Sequence, residues 1–564
     1  MSSENRRPID DVIEDYTAQR IDRHQFLQRA VALGLSISGA SALLAACGGG
    51  GGEQAAPAGG TTAASTTGAA TAGAPKGGVL TTRLLNDIKN LDPAFWPAAA
   101  DEQVFVNISE GLVTYKPGTL EIVNVLAEEF ESSPDGLRHT FKLKEGIPFQ
   151  GGYGEVTAED VKFSYERIAG LTTPKLDSPY AGDWPSLQEV TVGGKYDGVI
   201  VLKEPFAPLM TTTLPVGSGL VLSKAAVEDR GKKYATNPAG SGPYEFVEWN
   251  VKQSIILKKF ADYGGASSDF AAAPEWDELH FLPIEEDASA EIAVGTGELD
   301  FSEVSPKGIE RFEGNSDFGT HVTPTLDYVW IGMNVLDPKL RDINVRKAIR
   351  SAIDVPSLIE VGFDGKWERA RAIVAPGSPI GYWKDAPAYD RDVDLAKSFL
   401  AKAGVSSLEL THTYSTAEKG GKDIAQVVQA NLADIGIKID LKPTDSATLN
   451  ELGDVIRRLQ LFHVSYTNNP DPSWATVWFI CDQIGLWNWM SWCNKDYDSL
   501  HFAALKESDQ AKRNDMYIEM QKIWDEAAHT QWIAYRTKFF AYRKGLQPAI
   551  QPYGRYVAWA FRSA

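Results

Sequence analysis

An α/β fold is predicted for residues 76–564, because strand-like and helix-like stretches alternate along it and apolar spacing switches between periods of two and 3.6. A third observation subdivides it: a body of this size within a 564-residue chain exceeds what one hydrophobic core covers, so two or three domains are expected. Taken in order, Gly78–Leu84 alternates as a strand, and Leu91-Asp92-Pro93 breaks it. Asp101–Gly111 reads as a helix with Val104, Phe105 and Ile108 on one face. Pro134-Asp135-Gly136 is a turn ahead of the strand His139–Leu143. Thr157 can cap a helix whose first turn carries Glu159 and Asp160, where negative charge suits the dipole. Asp394–Gly404 is an amphipathic helix stopped by glycine. Ile424–Ile435 is another, followed by the strand Gly436–Leu441. Asp509–Glu526 is a long helix with Met516, Met520, Ile523 and Trp524 on one side.

Ahead of this body, Ala30–Ala46 is a small, apolar run, too short for a membrane span of about 20 residues and of the size of a signal-peptide core. Leu44-Ala45-Ala46-Cys47 resembles the bacterial lipobox, which implies cleavage before Cys47 and a lipid on its sulfur. The same residues could also be read as a membrane anchor with a chance cysteine. Upstream, Asp22–Gln28 resembles the twin-arginine export motif, with His24 where the second arginine belongs. Gly48–Pro75 has one charge, Glu53, and no periodicity, so it cannot offset its ordering entropy. As a glycine-rich coil it has a reach of roughly 30 Å. These readings give a signal peptide at 1–46, a lipidated Cys47 with a tether at 47–75, and a globular body held at the outer membrane face.

The chain is acidic, with a formal charge of −20, which argues against nucleic-acid binding. Cys481 and Cys493 remain once Cys47 is set aside. In an oxidising compartment they are expected to form a disulfide; two separate buried thiols are the alternative. There is no Gly-x-Ser-x-Gly elbow, no His-Glu-x-x-His and no phosphate loop. The eight histidines are too dispersed for a metal cluster of ordinary spacing. No catalytic residue, metal or cofactor is expected. With 75 acidic residues, a hydrolase using paired carboxylates remains the competing class.

An ordered set of motifs resembles the extracytoplasmic solute-binding proteins of peptide-type ABC importers, the family of oligopeptide-, dipeptide- and nickel-binding proteins. The set includes Leu91-Asp92-Pro93, Glu110-Gly111-Leu112-Val113-Thr114-Tyr115, Thr157–Ser164, Pro238–Tyr244, Ala261–Gly265, Gly297–Phe301 and Trp330–Asn334. It runs from about Gly78 to the C-terminus. The resemblance implies two lobes that enclose a ligand by hinge closure: lobe I from 76–326 and 531–564, lobe II from 327–530. Crossings are expected near Asp327–Asn334 and Gln531–Tyr535. It also implies a monomer that captures a peptide or other small organic solute and works with a permease and ATPase subunits. A nickel, opine or oligosaccharide ligand is the alternative within the family.

The richest candidate site is Tyr466–Trp474 with Trp478, Trp487, Trp489 and Trp492. Trp474 is assigned to the cleft. Trp487, Trp489 and Trp492 fit a cleft wall or a core equally. Dipeptide-binding relatives hold the ligand ammonium with an aspartate at the position of Asn468, and its carboxylate with an arginine at the position of Ser415. Both positions are neutral here; Asp471 and Lys419 or Lys422 are possible substitutes. The candidate ligand-binding set is therefore Asn468, Asp471, Trp474, Ser415, Trp330 and Asn334. The expected ligand is a longer peptide read through its backbone, with termini that matter little, or another organic solute.

Overall fold

The computed structural model describes residues 77–263, 273–455 and 458–564. The predicted signal peptide, Cys47 and the tether lie outside the described residues, as do Gly264 and Gly265. Ten strands form the path of the main sheet: β1 (Val79–Leu84), β2 (Tyr244–Asn250), β3 (Ser254–Lys259), β4 (Glu278–Pro283), β5 (Phe301–Val304), β6 (Phe318–Met333), β7 (Leu408–Ser415), β8 (Ile437–Thr444), β9 (Leu461–Tyr466) and β10 (Thr530–Arg543). Their order across the sheet is β8-β7-β9-β6-β10-β5-β1-β4-β3-β2. The pairs β1–β4, β1–β5, β7–β8 and β7–β9 are parallel. A separate four-stranded antiparallel sheet is built from Ala127–Ser132, Arg138–Leu143, Asp197–Leu202 and Leu187–Val192.

Two strands are much longer than the rest, β6 with 16 residues and β10 with 14. They pair from Phe318–Pro324 against Arg543–Thr537, lose register, and resume at Tyr328 opposite Tyr535. On one side of that break β5 continues the sheet from β10. On the other side β9 continues it from β6. Each long strand therefore serves both halves of a two-lobed α/β fold. Pro324 has no N–H for the ladder, which suits it to the edge of a break. Thr325, Leu326 and Asp327 face Arg536 alone across it.

The two-residue period of β6 sorts its side chains between two cores. Val329, Ile331 and Met333 enter an aliphatic core with Val345, Ile349, Ile424 and Val428. Tyr328 and Trp330 enter an aromatic core with Phe462, Tyr466, Phe479, Trp524 and Trp532.

The helices used below are α1 (Ala99–Phe105), α2 (Ala158–Ile168), α3 (Val393–Lys402), α4 (Gly421–Ala433), α5 (Pro472–Val477), α6 (Lys495–Ala504) and α7 (Gln510–Glu526). The helix expected over Asp101–Gly111 stops at Phe105. The Asn107 amide donates back to the carbonyls of Gln103 and Val104 at 2.8 and 3.3 Å, taking up the helix end. The chain then runs beside another turn so closely that a Cβ on Gly111 would lie 2.6 Å from the Gly219 carbonyl oxygen. Thr157 precedes α2 as expected, and the Asp160 carboxylate accepts both its N–H at 3.0 Å and its hydroxyl at 2.7 Å. Asp509 starts α7 by accepting from the N–H groups of Ala511 and Lys512. Among the described residues no helix is long and apolar enough to cross a membrane.

Candidate ligand-binding cleft

The loop after β9 leads directly into α5, and Asp471 is the N-cap residue of that helix, accepting from Ser473 N–H at 3.0 Å. Pro472 at the first helical position fixes the entry. Arg513 from α7 grips the Asp471 carboxylate with two N–H groups at 2.6 and 2.7 Å. The Thr211 hydroxyl donates to it at 2.7 Å. Burial alone would push the Asp471 carboxyl up, but Arg513 and these hydrogen bonds outweigh it and hold the group below its ordinary value. The carboxylate is fully engaged in packing.

Asn468 is buried, and its N–H donates to Asp327 Oδ1 at 2.9 Å. Its own side-chain oxygen accepts from Asn469 N–H. Ser415 ends β7, buried, with its hydroxyl 2.8 Å from that of Ser446. Trp330 lies wholly inside the aromatic core against Phe462, Tyr466 and Phe479. Asn334 is buried too, and its amide donates to the Trp489 carbonyl at 3.3 Å. Trp474 is half-buried and meets Trp478 edge to face at 5.3 Å. Trp478 in turn meets Trp487, which is 44% exposed, whereas Trp489 and Trp492 belong to the aromatic core. Cys481 and Cys493 are joined by a disulfide that closes this segment. Of the six candidates, Asn468 and Asp471 lie in the loop that leads into the helix carrying Trp474, while Ser415, Trp330 and Asn334 are each occupied elsewhere.

A second group of charges gathers at the break between β6 and β10. Arg536 Nη2 bonds Glu303 of β5 at 3.1 Å, and Lys538 lies 3.5 Å from the same carboxylate. Burial opposes the Glu303 charge, but Lys538, Arg536 and Arg83 outweigh it and hold the carboxyl below its usual range. Arg555 pairs with Glu102 of α1 at 2.7 Å. Burial works against the Arg555 cation, and Glu102, Tyr553 and Asp327 more than reverse that. Lys419, in the loop after β7, is held below its ordinary value by desolvation, with Asp287 and Asp364 opposing.

Beside this cluster is a cavity of about 220 Å³, lined among others by Glu102, Tyr115, Glu303, Lys538, Tyr553 and Arg555. The Tyr115 hydroxyl donates to the Thr211 carbonyl at 2.6 Å, which ties the cavity wall to the Asp471 contact. Burial pushes the Tyr553 phenol up to about 12, so it remains a neutral donor. The arrangement offers apolar wall, aromatic hydroxyls and fixed charges of both signs, which is what orients a small polar ligand. Sequence reasoning missed Asp327, Arg536, Glu303 and Arg555 because they come from four distant segments. One signal was present: Arg536 and Lys538, two apart, place two cations on one face of a strand rich in aromatic residues.

Comparison with known proteins gives a consistent picture. The profile described as bacterial extracellular solute-binding proteins, family 5 (middle region), matches residues 121–484. The glutathione-binding protein GsiB of Escherichia coli K12 is 27% identical over 423 residues, covering 72% of this chain and 80% of its own. The periplasmic binding protein DppA of Helicobacter pylori, solved with the peptide STSA, superposes with a TM-score of 0.72 at 24% identity, covering 86% of this chain and 98% of its own. The oligopeptide-binding protein AppA of Bacillus subtilis, solved with a nonapeptide, gives 0.70 at 23%, covering 87% and 99%. These relatives are named as binding proteins, not enzymes.

Proposed function

Because the chain belongs to the bacterial extracellular solute-binding proteins, family 5, the binding subunits of peptide-type ABC importers, we propose that it captures a peptide outside the cytoplasm and delivers it to a membrane permease. The protein is held at the outer membrane face by a lipid on Cys47, with the segment to Pro75 as its tether. Lobe I comprises 76–326 and 531–564, and lobe II comprises 327–530. The ligand is enclosed where the lobes meet.

One observation carries this reading. The two long strands that join the halves of the sheet lose pairing between Pro324 and Tyr328, with a second register shift between Val329 and Trp330, and a cavity with charged lining from the lobe I segments opens beside them. Closure about such a crossing is the hinge motion of periplasmic binding proteins. The relative named for glutathione, and the structures solved with the peptide STSA and with a nonapeptide, support peptides as the ligand class.

The test is small-angle scattering with native mass spectrometry on protein purified from its own host. A co-purified peptide, and a smaller radius of gyration on adding it back to stripped protein, is the expected result. A ligand that leaves the radius unchanged removes the closure mechanism. Release of Cys47→Ala protein from washed membranes checks the anchor separately.

A further inference from the structure

Two opposite charges stand across from each other at the break and do not meet. Asp327 is the last residue of β6 before pairing resumes, and Arg536 is the residue of β10 opposite the break. Asp327 Oδ1 accepts from Asn468 N–H at 2.9 Å, and Oδ2 has no hydrogen-bond or ion-pair partner among the described residues. Arg536 spends Nη2 on Glu303, and its Nε and Nη1 have no partner among the described residues. Its side chain is 36% exposed. Burial works against the Arg536 cation, and Glu303, Asp327 and Glu418 together hold it. Glu303 is already shared between Arg536 and Lys538, and Glu102 is held by Arg555. Neither carboxylate competes for whatever completes the gap.

We infer that this gap is a receptor for an α-amino-acid head group, with Asp327 taking the ligand's ammonium and Arg536 its carboxylate. The spacing selects the ligand class. Neighbouring strands lie about 5 Å apart where they pair, and Asp327 and Arg536 face each other where that pairing is interrupted, so a ligand that bridges them carries its two charges close together, as on one α-carbon. The two termini of an extended tripeptide are separated by roughly 10 Å and cannot bridge them. The class is a peptide joined through a side chain, so that the head stays free, as in a γ-glutamyl peptide. Such a ligand supplies two charge-assisted contacts, one of them to a guanidinium fork. The inference rests on the solute-binding reading above. It also changes the expectation drawn from Asn468 and Ser415: the negative charge absent at 468 is delivered beside it from another strand.

The test uses two isomers, γ-Glu-Cys-Gly (glutathione) and α-Glu-Cys-Gly, titrated calorimetrically into the full body of the protein and into Asp327→Asn and Arg536→Gln. Asn at 327 keeps an acceptor for Asn468 N–H, and Lys538 still faces Glu303 in Arg536→Gln; circular dichroism verifies both folds. The unsubstituted protein should prefer the γ-isomer at least tenfold, and each variant should reduce that preference to within about threefold. Equal binding of the isomers, tighter binding of the α-isomer, or a preference that survives Asp327→Asn overturns the inference while leaving the peptide reading intact. If neither isomer binds, the receptor is judged on L-glutamate against glutarate by thermal shift, while the peptide reading keeps its own test. Stabilisation by glutamate alone, lost in Asp327→Asn, supports it; no stabilisation by glutamate, or equal stabilisation by both, overturns it.

Discussion

Two aspartates meet at the same loop, Asp471 at its end and Asp327 from β6 against Asn468, and they do opposite things. Asp471 is sealed: side-chain exposure is 1%, and Arg513, Thr211 and Ser473 take its acceptor positions. Asp327 is open, with one oxygen on Asn468 N–H and the other facing the break. The difference shows where a carboxylate is spent on cohesion and where it is left for a ligand. A buried pair that loses one partner leaves an uncompensated charge behind, which costs about 3–5 kcal/mol. Asp471→Asn should therefore lower unfolding free energy by about that amount in urea denaturation. Asp327→Asn, which strands no charge in a sealed site and keeps its acceptor, should lose less than ~1 kcal/mol. Comparable losses in both would erase the distinction.

This pair also marks how far the sequence could be read. The family motifs and the alternation of strands and helices were enough for the α/β, two-lobed fold, because each element follows from local periodicity and caps such as Asp509. The Asn468–Asp471 loop was visible too, since Asn-Pro-Asp-Pro punctuates the chain. What could not be seen was which carboxylate Arg513 would reach, 42 residues away. Asp327 looked like an ordinary strand residue; only the slipped register of β6 against β10 sets it opposite Arg536. Trp330 shows the same limit. It belongs to the candidate ligand-binding set, and the two-residue period of β6 turns it into the aromatic core.

The disulfide gives a second handle on the sealed side. Cys481–Cys493 ties the segment between α5, which Asp471 caps, and α6. A loop of 12 residues contributes about 3 kcal/mol at most in the chain-entropy model. Cys481→Ser with Cys493→Ser should lower the unfolding free energy in urea denaturation by no more than that. Isomer preference at Asp327 should be unaffected. If preference collapses with the disulfide, the two regions are not independent.

Acid should weaken the sealed side next. His501 of α6 lies buried 3.0 Å from the Thr476 hydroxyl of α5. Burial lowers its pKa from 6.5 to about 4, with Asp471 opposing and Arg513 adding to the shift. The unfolded chain therefore takes up this proton first. His501's contribution is complete above about pH 6.5 and is lost as pH falls toward 4, at about 1.4 kcal/mol per unit. Between pH 7.5 and 5 that is about 2 kcal/mol. His501→Gln should remove this share of the acid sensitivity in paired urea titrations. An unchanged pH dependence would place the loss on other buried histidines, such as His463, whose pKa burial lowers to about 3.

The smallest expected effect lies where the sealed region meets the opposite half of the molecule at its surface. Ala207 N–H donates to the Leu505 carbonyl at 2.7 Å, and Lys506 pairs with Glu204 at 2.5 Å. The two contacts differ in kind. The backbone bond persists under any side-chain substitution, whereas the ion pair joins side chains that are 51% and 54% exposed. An exposed pair of this sort contributes about 0–1 kcal/mol, because water and salt screen it and two long side chains must be ordered. If the pair helps hold the halves together around a ligand, Lys506→Ala should weaken ligand binding by less than about fivefold. That difference should shrink further as salt is raised from 20 to 300 mM, since the Debye length falls across that range. A larger loss, or one indifferent to salt, would mean that Lys506 acts through packing against the Thr211–Asp471 contact rather than through its charge. The sealed region would then extend to the surface, and the contrast with the open Asp327 would be one of position rather than burial.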